Sequence, residues 1–169
     1  MFNLKNIFSQ AKTSSFYLWL LNWGLSRKVP FNRPHGFRIL KLGEDDIETL
    51  LPFKTLNLNH IKSLHACALA TVSEFSTGAF LLSKLDPARY RLILKELKME
   101  YHYQGKTAAK CRFGLSGDEI NKMILKPLES GDSVLVECIA KTFDNQENHL
   151  ATGNVTWQIK DWSKVKTKI

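Results

Sequence analysis

Asn59-His60-Ile61-Lys62-Ser63-Leu64-His65-Ala66-Cys67-Ala68-Leu69-Ala70-Thr71-Val72-Ser73-Glu74-Phe75-Ser76-Thr77-Gly78 is the stretch whose reading decides the fold. It opens polar, with one Asn and two His, and from Leu64 an apolar, helix-forming run begins. Apolar or small residues fall at 64, 67, 68, 71, 72, 75, 79 and 82, the i, i+3, i+4 recurrence of a helix with one buried face. A core helix is therefore expected over about 64–82. Ala66, Ala68, Ala70, Ser73 and Ser76 keep its girth small, so a sheet can wrap closely around it. A single carboxylate, Glu74, stands inside the run beside Val72 and Phe75, where a charge is costly unless it serves a purpose.

Downstream the period changes from 3.6 to 2. Leu97, Met99, Tyr101 and Tyr103 alternate with Glu96, Lys98, Glu100 and His102, which predicts a strand over about 90–103 with a buried face that includes both tyrosines. After the Gln104-Gly105 turn, Ala109, Cys111, Phe113 and Leu115 form one face of a second strand. Ser116-Gly117-Asp118-Glu119 then matches a Ser-x-x-Glu capping box, so a short helix should follow with Ile120, Ile124 and Leu128 inward. Two more alternating strands, 133–143 and 149–159, are joined by the polar loop 144–148. Upstream, Phe37 to Leu42 and Ile47 to Lys54 read as a hairpin about Gly43-Glu44-Asp45, with Pro52 at an edge or bulge. Phe16, Leu20 and Trp23, with Trp19 beside them, recur at helical spacing and predict a helix over about 14–26 capped by Ser14 or Ser15. A helix packed on the body is the plainer reading and an interfacial membrane anchor the other; the apolar run 16–21 is too short to span a bilayer and no secretory cleavage site follows it.

The order of elements argues for an α+β protein in which an antiparallel sheet curls around the long helix. It excludes a βαβ nucleotide fold, since no Gly-rich phosphate loop is present. One domain suits 169 residues, divided into an N-terminal helical extension (1–35), the sheet-and-helix domain (36–160) and a basic C-terminal tail (161–169). Cys67, Cys111 and Cys138 are odd in number, widely spaced and set in apolar or alternating stretches, which suggests buried thiols in a reducing, cytoplasmic setting. The 24 Lys and Arg against 16 Asp and Glu leave a net charge of +8, compatible with phosphate-bearing ligands, anionic membranes or nucleic acid. Nucleic acid is the weakest of these, because the tyrosines are not interleaved with basic residues.

Asn59, His65-Ala66-Cys67 and Glu74 together resemble the motif of the hotdog-fold acyl-CoA thioesterases of the phenylacetic-acid-pathway type, and within them a branch built on an uncharacterised thioesterase-like domain. The spacings of six and nine residues suit that pattern, and the element order is similar over roughly 36–160. Two positions depart from it: the usual His-Gly-Gly is His65-Ala66-Cys67, and the acidic residue is Glu where one branch has Asp. The resemblance implies a hotdog fold and hydrolysis of an acyl thioester carried by CoA or an acyl-carrier protein. It further implies no cofactor, a homodimer or a tetramer built from dimers, and a site containing Glu74, Asn59 and His65 with Ala66, Cys67 and His60 contacting substrate.

Helix geometry adds a condition. Nine residues separate His65 from Glu74, about 13 Å along a helix and nearly opposite faces, so joint action on one thioester requires two chains. Glu74 is the candidate base or nucleophile, Asn59 a holder of the water or carbonyl, and the backbone N–H groups of His65 and Ala66 the candidate oxyanion donors. His60, His65 and Glu74 do not converge within one chain, so no metal site is expected. Two other functions fit the fold: a hydroxyacyl-thioester dehydratase pairing His60 with Glu74, and a non-catalytic acyl-CoA-binding dimer.

Overall fold

Helix α3 (Ala66–Lys84) is the axis of the molecule, and in the computed structural model, which describes residues 4–165, an antiparallel sheet curls around it. The strands are β1 (Arg38–Leu42), β2 (Asp46–Leu51), β3 (Tyr90–Tyr101), β4 (Ala109–Gly114), β5 (Ser133–Asp144) and β6 (His149–Asp161). They run in the order β1-β2-β4-β5-β6-β3. This is the hotdog arrangement, and small side chains on the helix make it possible. Ser76 Oγ meets Thr49 Oγ1 of β2 at 2.6 Å, and Trp157 Nε1 of β6 donates to Thr77 Oγ1 at 2.9 Å. A Cβ on Gly153 would lie 2.7 Å from the Ser73 Cβ, so helix and sheet are in contact through two minimal residues. By length and composition α3 is apolar enough to cross a membrane, but its Val72, Phe80 and Leu81 are fully buried against the sheet.

β2 stops at Leu51 and does not reach Lys54, because Pro52 cannot donate to a ladder. The capping box forms as expected: Glu119 N–H donates to Ser116 Oγ and Ser116 N–H to Glu119 Oε2. It opens α4 (Gly117–Ile120), which continues through a π-helical turn over Asn121–Leu125 into α5 (Lys126–Ser130). The widening precedes Pro127, whose ring crowds the carbonyl four residues back and which has no N–H to give it. Ile120, Ile124 and Leu128 point inward.

The N-terminal extension holds two helices where one was expected, α1 (Leu4–Ala11) and α2 (Ser15–Lys28). Both share the main core through Phe8, Ala11, Leu21 and Leu25, and Asn22 fastens α2 to β1 by a pair of hydrogen bonds with the Ile39 backbone. The face of α2 is the reverse of the expected one: Leu21 and Leu25 are buried, while Phe16, Trp19 and Trp23 face outward. Ser14 takes the cap position but its side chain caps nothing. Tyr101 and Tyr103 are likewise exposed, correcting the expected buried face: Tyr101 is the last residue of the edge strand β3, where its hydroxyl donates to the Ala66 carbonyl at 3.2 Å, and Tyr103 lies beyond the strand. Of the basic tail, Trp162–Lys164 forms a short 3-10 turn; Lys166 and Lys168 lie outside the described residues.

Candidate functional site

Glu74 sits on the third turn of α3, beside a cleft of about 470 Å³. Phe75, Gly78 and Ala79 of the same helix, Leu25 of α2, the first residues of β3 and Trp157 of β6 form walls that are almost wholly apolar. The Glu74 carboxylate is half-buried and has no hydrogen-bond or ion-pair partner among the described residues. Desolvation raises its pKa above the ordinary 4.5, since a low-dielectric wall disfavours the charged form. Arg91, at the start of β3, lines the same cleft with a buried Nε that has no partner among the described residues.

The polar lead-in is built separately. His65 is the N-cap of α3, with an extended backbone and Nδ1 accepting from Cys67 N–H at 3.0 Å. Its own N–H donates to the Asn57 carbonyl at 2.8 Å. Of the two amides expected to face an oxyanion, that of His65 is therefore committed. The Ala66 N–H has no partner among the described residues, and it stands at the first turn of the helix, where unsatisfied donors and the dipole favour negative charge. Asn59 uses its Oδ1 to accept from Ile61 N–H, Ser63 N–H and Ser63 Oγ. Only its amide nitrogen is left to meet a ligand.

His60 lies in the exposed turn just after Asn59, where the chain passes through a left-handed Lys62. It lines neither cavity described here. Cys67 is exposed, contrary to the buried thiol expected, because it falls on the side of α3 that the sheet leaves open; Cys111 and Cys138 are buried. Cys67 and His65 share a small hollow of about 70 Å³ with His35 and Thr71. Within one chain, then, Glu74 and His65 open onto different cavities, as the helical arithmetic requires. Among the described residues, no three His, Cys, Asp or Glu side chains gather as a metal site would need.

Asn57 was not among the residues the sequence pointed to. It is fully buried, donates to the carbonyls of His35 at 2.9 Å and Pro52 at 2.8 Å, and meets His35 Nδ1 through its Oδ1. Through its own carbonyl it holds the His65 backbone, so it positions the start of α3. Its neighbour in the lead-in, Asn59, carries the motif spacing, and nothing local distinguishes which amide is buried.

No curated protein matches the sequence. Solved structures do. A protein of unknown function from Pseudomonas aeruginosa, described as a probable thioesterase, superposes with a TM-score of 0.77 at 24% identity, covering 85% of this chain and 95% of that one. A protein of unknown function from Chlorobaculum tepidum gives 0.74 at 12% identity over 89% and 98%, and a thioesterase from Haemophilus influenzae gives 0.68 at 13% over 89% and 95%. At these identities the likeness is one of fold. The family model described as a domain of unknown function, DUF4442, matches residues 18–159, and the chain belongs to the DUF4442 family.

Proposed function

We propose that the protein hydrolyses acyl thioesters and that Glu74 is the base. One observation carries the reading: a half-buried carboxylate without a partner, its pKa raised by burial, lines an apolar cleft large enough for an acyl group. A structural carboxylate at such a place would be expected to hold an ion pair or a capping hydrogen bond. Glu74 removes a proton from water as the oxygen attacks the thioester carbonyl carbon; the tetrahedral intermediate collapses, the C–S bond breaks, and the thiolate leaves to take up a proton. On this reading the Ala66 N–H, without a partner among the described residues, donates to the developing oxyanion, and Asn59 offers its amide nitrogen.

Because Glu74 and the Ala66 end of α3 are separated within a chain, the complete site is formed by two copies. The outer edge of β3, 12 residues long, unpaired among the described residues and with Ile93, Leu94 and Tyr101 exposed, is a template for pairing with a second β3. The fold neighbours described as thioesterases support the reaction class, and the basic excess suits the phosphates of CoA. A thiol-release screen across short, long and aromatic acyl-CoAs tests the proposal. The wild type should release thiol from at least one of them, and Glu74→Ala should lower that rate by about 10²-fold or more. A wild type inert toward every acyl-CoA but able to hydrate an enoyl thioester would overturn it in favour of the dehydratase, and unchanged turnover in the variant would remove Glu74 from the site.

A further inference from the structure

α2 turns its aromatic side outward. Phe16 is 64% exposed, Trp19 59% and Trp23 46%, and spacings of three and four residues put them on one stripe of the helix, opposite the buried Leu21 and Leu25. The Phe16 and Trp19 rings stack at 6.1 Å, and the Arg27 guanidinium, one turn further on, lies 4.1 Å from the Trp23 ring centre. Large aromatics laid side by side in water on a helix that has already buried its other face want a partner.

The charge around the stripe says what kind. Residues 1–43 contain seven Lys or Arg and no Asp or Glu, so this quarter of the chain supplies seven of the eight net positive charges. Lys12 and Lys41 are paired with Glu44 and Asp46, but Arg27, Lys28, Arg33 and Arg38 make no ion pair among the described residues. A second copy of the chain would bring the same positive field against itself. A bilayer with anionic headgroups offers the opposite sign together with the polar-apolar boundary that Trp prefers.

We propose that α2 is an in-plane membrane-docking helix that inserts Phe16, Trp19 and Trp23 at the headgroup level of an anionic bilayer, with Arg27, Lys28 and Arg33 on the lipid phosphates. The helix does not span; its Leu21 and Leu25 remain in the protein core. Leu25 also forms a wall of the Glu74 cleft, so α2 stands between that cleft and the docked bilayer. The docking stands or falls independently of thioester hydrolysis.

Sedimentation of the full chain with vesicles of phosphatidylcholine alone and of phosphatidylcholine with phosphatidylglycerol is the test. The wild type should bind the anionic vesicles, lose that binding as salt rises, and ignore the neutral ones. Trp19→Ser with Trp23→Ser should weaken binding about ten-fold or more, and Arg27→Glu with Lys28→Glu and Arg33→Glu about 10²-fold or more, at about five-fold per basic residue near the surface. All five side chains are exposed, and unchanged thermal midpoints confirm folded variants. Brominated lipids should quench wild-type tryptophan fluorescence and leave the double Trp variant unquenched. Equal binding to neutral and anionic vesicles, no binding to either, or loss of a dimer in the Trp variant by light scattering would overturn the proposal, the last by showing that the stripe is covered by a second copy.

Discussion

As the proposed base, Glu74 would tie function to a cost in stability. Burial raises its pKa in the folded chain, so above the ordinary value of 4.5 the native state holds its proton more tightly than the unfolded state does. Stability then falls as pH rises from 4.5 through the raised value, and the whole deficit is present beyond it. Glu74→Gln keeps the shape and removes the titration. Calorimetry should show a higher thermal midpoint than wild type at pH 7, with the gap closing as pH approaches 4, while thiol release falls about 10²-fold or more. A midpoint lowered at pH 7 would mean the carboxylate is held by favourable contacts. If Glu74 is the base, the acid limb of the wild-type pH–rate profile should lie above 4.5, since a carboxylate base works only when ionised. The half-burial of this carboxylate on the core helix was legible in the sequence because one carboxylate interrupts an apolar period. Asn57 was not: its burial depends on Pro52 and His35, which meet it only after the chain has turned back. Cys67 fits the apolar spacing and is exposed all the same, because the period says which residues share a face and not how far the sheet extends over it.

Elements were legible wherever pattern and punctuation agreed. The Ser116 box and the alternating strands each have a local cause, whereas the strand expected to run on to Lys54 ends at Leu51, ahead of Pro52. The face of α2 was not legible, because apolar residues surround the helix and the choice between leucines and aromatics was made by the sheet it packs on. Helix α3 and β6 show how finely that packing is set. Gly78 faces Trp157 so closely that an added Cβ would lie 2.9 Å from Cζ2 and 3.1 Å from Cη2. In Gly78→Ala the indole must shift, which strains its hydrogen bond to Thr77 Oγ1 and moves one wall of the Glu74 cleft. Overpacking of this kind costs about 1–3 kcal/mol, or about 2–4 °C of thermal midpoint per kcal/mol at this size. Thermal unfolding of the single variant measures it; an unchanged midpoint would show that Trp157 has room to yield.

At the scale of the whole molecule, the proposed site is divided between the first turn of α3 and Glu74 two turns further on, and on that proposal a second chain completes it. The alternation of β3 was readable, but its place at the edge of the sheet comes from a strand order that no local pattern encodes. On the proposed function, the β3 edge and the Glu74 carboxylate, both without a partner among the described residues, go together: a two-fold pair formed through β3 would supply strands to each other and the lead-in of one copy to the Glu74 of the other. The arrangement predicts complementation. Asn59→Ala with His65→Ala on one chain, and Glu74→Gln on the other, should each be close to inactive as homodimers. Unfolded and refolded together in equal amounts, they form heterodimers in about half of the population, and each heterodimer holds one intact site and one doubly impaired site. Thiol release should then recover to about a quarter of wild type. If one chain held the whole site, mixing would restore nothing, because every chain in the mixture carries a defect.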